Sequence, residues 1–289
     1  MRTDPYPHEG ASFEFVSRVP SDRLARFVTS VWYAKGTVAY KREKIAPTGS
    51  TVAVIVLGDP IIQTPRNGAG ERFLADRGFL AGPHQGPVIN EPTGETYAVG
   101  IVTTPVGCEA VFGRRPQPLR GRVVDLEAAW SPAGPLRAEL QQLVDPQDLL
   151  DAVLRHLHLH ANAAVRGVDR CERAIALLEA DPTRPIGAIA DELGVSHGHL
   201  DADFTRVVGL GPRGLARLLR LRSLLANLDV SAEVRWIDHA HRLGWSDQSH
   251  FNRDFKRHTG VTPSQYVAAQ RTAFGPGELW HAAGFAPER

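Results

Sequence analysis

The chain has 289 residues, 43% of them hydrophobic and 22% charged, with a formal net charge of +1. That is enough for two domains and an ordinary globular core, and no apolar run of about 18 residues suggests a membrane helix. The N-terminal MRTDPYPHEGASFEF has no apolar signal core, and two distant cysteines, Cys108 and Cys171, exclude a disulfide framework or a cysteine zinc site. A reducing cytoplasm is the expected location.

The first 125 residues read as β-rich. Apolar, β-branched runs recur at Phe27–Tyr33, Thr51–Leu57 and Tyr97–Val102. Pro47, Gly49, Gly58-Asp59-Pro60, Gly82-Pro83 and Pro92 punctuate them. Short strands between such turn signals predict an antiparallel barrel or sandwich. From Leu126 the spacing turns helical, with Leu136, Leu140 and Leu143, then Leu149, Leu150, Val153, Leu154 and Leu157 after Pro146. These two helices read as a linker or a dimerisation element. Residues 165–271 are helical throughout, and the tail GPGELWHAAGFAPER has loop composition.

The helical part contains a tandem repeat. Leu193-Gly194-Val195-Ser196 recurs as Leu243-Gly244-Trp245-Ser246, and His199-Leu200 recurs as His250-Phe251. Phe204, Arg206, Gly209 and Pro212 recur as Phe255, Arg257, Gly260 and Pro263. Each copy reads as a helix-turn-helix. In the first, Ile186–Leu193 is a short helix, Gly194 ends it in the left-handed conformation, and Ser196 caps the next helix. In the second, Ile237–Leu243 is followed by the turn Gly244-Trp245-Ser246 and a helix from about Asp247 to His258. Phe251 and Phe255, four apart, face the core. Gln248, Ser249, Asn252, Arg253 and Lys256 fall opposite them. Such a face suits a major groove, where Arg pairs with guanine and Asn or Gln with adenine. The Leu/Arg segment Pro212–Leu228 joins the two units and would fix their spacing. Its Arg213, Arg217, Arg220 and Arg222 are either phosphate contacts or solvating charges. Residues 204–271 carry 11 Arg/Lys against 5 Asp/Glu, whereas residues 165–203 carry 4 against 8. The basic excess is therefore local, as a polyanion footprint should be.

Residues 165–271 resemble the DNA-binding domain of AraC/XylS-type transcription regulators. The strongest carrier is GWSDQSHFNRDFKRHTGVTPSQY, together with the two units about fifty residues apart. In the first unit the family's HLSRLF-like pattern is replaced by His199-Leu200-Asp201-Ala202-Asp203-Phe204, with Ala202 where the second copy has Arg253. Two carboxylates near a phosphate backbone are repulsive, so the second unit is expected to carry most base readout. The stretches Ala46-Pro47-Thr48-Gly49, VIVLGDP from Val54, Leu80-Ala81-Gly82-Pro83, Val99-Gly100-Ile101 and Arg122–Leu126 resemble the cupin-like N-terminal domains of one subgroup of that family.

The resemblance implies an α+β fold: a cupin-like antiparallel β-barrel over residues 1–128, linker helices over 129–164, an all-α domain with two tandem helix-turn-helix units over 165–272, and a tail over 273–289. It implies a DNA-binding regulator modulated through the barrel. The alternative is a ligand-binding or protein-interaction module whose helix-turn-helix domain no longer reads DNA. Expected base contacts are Gln248, Ser249, Asn252, Arg253, Gly198 and His199. Expected phosphate contacts are Ser196, Arg206, Ser246, Lys256 and Arg257. The expected partners are double-stranded promoter DNA, an unidentified small-molecule effector, RNA polymerase and a second copy of the chain, without a membrane.

No catalytic residue, cofactor or metal is expected. A metal-dependent cupin needs a His-x-His set, and the N-terminal region has only His8 and His84. His156, His158 and His160 lie in HLHLH on a helix and read as surface histidines with no carboxylate to complete a metal set. Cys108 reads as a small buried residue, and GAGERF from Gly68 lacks the context of a phosphate loop. Trp32, Tyr33 and Tyr97 are expected in the core, with a barrel pocket as the other reading.

Overall fold

The computed structural model describes residues 2–3, 13–65, 71–232, 234–273 and 284–288. His8 and Gly68 lie outside them. The strands, in chain order, are β1 (Arg2–Thr3), β2 (Phe13–Arg18), β3 (Val28–Gly36), β4 (Arg42–Ile45), β5 (Val52–Val56), β6 (Ile61–Pro65), β7 (Phe73–Ala75), β8 (Gly78–Ala81), β9 (Val88–Pro92), β10 (Thr96–Thr103), β11 (Val123–Asp125) and β12 (Phe285–Glu288). The helices of the first half are α1 (Gly107–Phe112), α2 (Leu126–Ala129), α3 (Ala133–Leu140) and α4 (Pro146–His160). The C-terminal helices are α5 (Val168–Ala180), α6 (Ile186–Glu192), α7 (His197–Val207), α8 (Pro212–Ala226), α9 (Trp236–Arg242), α10 (Gln248–Thr259) and α11 (Pro263–Ala273).

The strands form two antiparallel sheets, in the orders β1-β2-β3-β10-β5-β8-β11 and β12-β4-β9-β6-β7. This is antiparallel β structure of the expected kind, but the hydrogen-bonded ladder does not close into a barrel. The two sheets approach at β11, which contacts β6 and β7 without pairing with them. The three most apolar runs became β3, β10 and β5, adjacent in the middle of the larger sheet. Their alternation is blurred because both faces are covered. One face meets the smaller sheet through Val54, Val56, Ile61, Phe79 and Ala98. The other meets helices. Gly100 on β10 lies opposite Trp32 on β3, and a Cβ there would sit 2.0 Å from the indole, so only glycine fits. Trp32 packs on it, half-buried, while Tyr33 is buried.

The stretch read as a linker lies on the sheet. Leu149, Leu150, Val153 and Leu157 of α4 are fully buried, and α4 packs against β3. Its apolar stripe is therefore used within the chain. One continuous core runs from the larger sheet through α1–α4 to Leu200 and Phe204 of the first helix-turn-helix and Leu215, Leu218 and Leu219 of α8. A second core joins Leu221, Leu224 and Leu225 of α8 to Trp245, Phe251, Phe255 and Tyr266, and it includes Ala46 and Ala286. The tail, loop-like in composition, supplies β12, whose Phe285–Glu288 pairs with Ile45–Arg42 at the edge of the smaller sheet. Among the described residues no helix is long and apolar enough to cross a membrane.

Candidate nucleic-acid interface

Both helix-turn-helix units form as their spacing predicts. Gly194 ends α6 with φ +67° and Gly244 follows α9 with φ +79°, a region L residues avoid. Ser196 caps α7 by accepting from the His199 amide at 3.2 Å. In the second unit the cap is Asp247, which accepts from the His250 amide at 2.7 Å. Ser246, expected to face phosphate, instead donates its hydroxyl proton to the Asp247 carboxylate at 2.9 Å. The His250 amide, followed by the Ser246 hydroxyl, holds the Asp247 carboxyl below its usual range.

The second unit has an aromatic core. Trp245 meets Phe251 edge-on at 5.2 Å, and Phe255 meets Tyr266 at 5.7 Å. The Trp245 indole N–H donates to Asp254 at 3.2 Å. With Phe251 and Phe255 facing inward, Gln248, Ser249, Asn252, Arg253, Lys256 and Arg257 are all exposed on α10. The structure thus brings the six together on one helix, uncovered by the rest of the chain. Lys256 stands at the edge of this face, where it lines a cavity of about 430 Å³ with Lys44, Gln265 and Glu288.

The first unit is different. Gly198 and His199 are exposed in the first turn of α7, and a Cβ at Gly198 would meet open space. Arg206, expected at phosphate, does not lie free on the surface. Its guanidinium donates to the Arg166 carbonyl and stands 3.7 Å from Glu109 of α1. Arg206 therefore ties α7 to the N-terminal domain. Asp203, expected to repel phosphate, is paired with Arg170 of α5, so only Asp201 of the two carboxylates is exposed.

The four arginines of α8 separate into two kinds. Arg213 and Arg217 are exposed. Arg220 lies over the Trp245 ring at 5.2 Å and donates to the Gly244 carbonyl at 3.3 Å, locking α8 to the second turn. Arg222 pairs with Glu179 of α5 at 2.6 Å. Sequence spacing did not single out Arg170 or the anchoring role of Arg220, because their partners are distant in the chain.

The N-terminal domain touches both units. Gln85, in the loop between β8 and β9, accepts from His258 Nδ1 of α10 through its carbonyl. Its side chain approaches Gly214 of α8, where a Cβ would sit 2.3 Å from Nε2. A Cβ at Gly209 would sit 2.7 Å from Pro83 and 3.0 Å from Pro116.

The other candidate chemistries resolve as structure. Carboxylates do reach the histidines of α4, contrary to expectation: His156 Nε2 lies 2.9 Å from Glu139 and His158 Nε2 lies 2.6 Å from Asp22. The fold supplies them from α3 and from the loop before β3. His156 and His158 have one such partner each, and among the described residues no group of three or more His, Cys, Asp or Glu side chains could hold a metal. Cys108 is buried, and burial pushes its thiol up to about 11, the reverse of an activated nucleophile.

Residues 189–269 match the family described as a helix-turn-helix domain. Residues 17–125 match one described as a domain of unknown function (DUF6597). No curated protein matches the chain. Among solved structures the chain is similar to ToxT from Vibrio cholerae, at 12% identity over 88% of this chain and 98% of that one, with a TM-score of 0.47. A form of ToxT from strain SCE256 bound to an unsaturated fatty acid gives 14% identity, 89% and 94% coverage and a TM-score of 0.46. The C-terminal domain of AraT, a response regulator from Geobacillus stearothermophilus, gives 25% identity over 36% of this chain and 88% of that one, with a TM-score of 0.33.

Proposed function

Residues 189–269 match a helix-turn-helix domain family, and from that premise we propose that the chain is an AraC-type, sequence-specific DNA-binding transcription regulator reading promoter DNA mainly through α10. The observation that carries this is the exposed set Gln248, Ser249, Asn252 and Arg253 on a helix whose other side is pinned by Phe251 and Phe255. Arg253 offers a bidentate donor fork to guanine O6/N7, and Asn252 or Gln248 can pair with adenine N6/N7. Lys256 and Arg257, in the last turns of α10, are suited to flanking phosphates. So are Arg213 and Arg217 on α8, whereas Arg206 and Ser246 have other partners. Two recognition helices held by one connecting helix suit successive major grooves on one face of DNA, about 34 Å apart.

Modulation through the N-terminal domain is part of this reading. The shared core and the contact of Gln85 with α10 give that domain, and any small molecule or second copy that it binds, a mechanical route to both units.

Selection of bound duplexes from a random pool, run on the full chain and on Arg253→Ala, tests the proposal. The wild type should yield a motif. The variant should lose about 1–3 kcal/mol on it and relax one base-pair position. A second half-motif one turn away would come from α7. No enrichment at low salt, or an unchanged motif in the variant, would defeat the assignment of α10 as the reader.

A further inference from the structure

The first unit lacks the arginine that the second presents, yet its recognition helix is built around a polar contact that comes from outside both units. Arg170 reaches from α5 to α7. Its Nη1 donates to the Asp203 carboxylate and lies 2.8 Å from His199 Nε2. His199 Nε2 is 3.6 Å from Asp203 Oδ2, too far for a hydrogen bond.

These distances determine the proton on the ring. A guanidinium has donors and no acceptor, so at 2.8 Å the Nε2 atom must offer its lone pair to Arg170. The neutral imidazole then carries its hydrogen on Nδ1. The opposite tautomer would set an Nε2–H against an Nη1–H, with the nearest carboxylate out of reach. The two Nη1 protons serve one partner each, the ring and Asp203.

We infer that Arg170 is a positioning residue for the first reading head, holding His199 as the Nδ1–H tautomer so that α7 offers one N–H donor to the major groove. This rests on the reading of α7 as a DNA-facing helix. The His199 side chain is 55% exposed while that of Asp203 is 16% exposed, so the ring reaches outward and the carboxylate stays with Arg170. Gly198 beside it has no side chain and Ala202, one turn on, has a single methyl, so at that end of the helix His199 shares the surface with one other long polar side chain, the exposed His197. A lone donor can donate to guanine O6 or N7, adenine N7 or thymine O4, and it disfavours cytosine, which presents only an amino group there. The same guanidinium cancels one of the two negative charges that would otherwise face phosphate.

The experiment combines ring-nitrogen NMR of histidine-labelled full chain with duplex selection, on wild type, Arg170→Met, Arg170→Lys and His199→Ala. His199→Ala identifies the His199 signals by their loss. The wild type should show Nδ1 protonated and Nε2 bare. Arg170→Met, which keeps an alkyl stem of similar length, should shift the ring toward the Nε2–H form, and Arg170→Lys should restore the wild-type pattern. In the selection, Arg170→Met and His199→Ala should both lose about two- to tenfold discrimination against cytosine at the same position, the size of one hydrogen bond. A protonated Nε2 in wild type, or a tautomer unchanged in Arg170→Met, overturns the role of Arg170. The expected NMR pattern with His199→Ala leaving every base preference intact overturns instead the reading of α7 as a DNA-facing helix, and the groove donor with it.

Discussion

Glu43 on β4 is 4% exposed. The Tyr40 hydroxyl donates to it at 3.0 Å and the Asn90 amide at 2.9 Å. Burial outweighs both bonds and pushes its carboxyl up to about 7, from 4.5. Between those values the folded chain holds a proton that the unfolded chain has released, so stability falls as pH rises through that window and levels off above it. The shift corresponds to about 3 kcal/mol at most. Glu43→Gln keeps an acceptor for Asn90 and gives the Tyr40 oxygen a donor, without a charge to desolvate. The variant should therefore gain on wild type between pH 5 and pH 8, as read by urea unfolding at both. A difference between the two proteins that does not change with pH would show that Glu43 is ionised in the fold at no cost.

The two turn glycines separate backbone cost from packing cost at the scale of the element. Gly194 and Gly244 occupy the same place in their units and the same left-handed region, at φ +67° and +79°. A Cβ on Gly194 would meet nothing within 4 Å, whereas one on Gly244 would sit 2.5 Å from Thr183 Cγ2. Thr183 cannot easily swing aside, since it is β-branched and its hydroxyl donates to Asp181 at 2.6 Å. Gly194→Ala should cost about 1–2 kcal/mol from the backbone alone. Gly244→Ala should cost more and loosen the second unit from the α5–α6 loop. Equal losses in thermal or urea unfolding would mean that Thr183 gives way freely. These turns were legible in the sequence because a left-handed glycine, a cap and two apolar residues four apart, Leu200 and Phe204 or Phe251 and Phe255, act within a few residues of each other. The central strands were legible for a similar reason: three dense apolar runs had nowhere to go but the middle of a sheet. β12 was hidden because its partner, β4, lies about 240 residues away and a short edge strand needs little apolar pattern. The partners of Ser246 and Arg206, a neighbouring carboxylate and a distant backbone carbonyl, were hidden because they depend on rotamers and packing that periodicity does not encode.

The molecule as a whole is coupled through α8, whose Leu215, Leu218 and Leu219 belong to the core shared with the β domain while Leu221, Leu224 and Leu225 belong to the core of the second unit. The second unit is attached to the β domain again at His258, on the buried end of α10. His258 is 2% exposed, and its Nδ1 donates to the Gln85 carbonyl. Burial holds its pKa below the usual histidine value. Arg257 on its own helix and Arg217 on α8 act in the same direction, while the Gln85 carbonyl and Asp254, 3.8 Å from Nε2, act against it. Burial dominates, so the fold accommodates this ring best when it is neutral. Its contribution is complete above the unfolded value of about 6.5 and is lost as pH falls through the lower folded value. This is the opposite sign to Glu43, so one buried group penalises acid and the other penalises base. His258→Gln leaves an amide able to donate to Gln85 but unable to take a proton. The stability advantage of wild type over this variant should shrink as pH drops from 7.5 to 5, measured by urea unfolding of the full chain. If the difference between the two proteins stays constant across that range, protonation of His258 does not oppose the docking of α10 on the β domain.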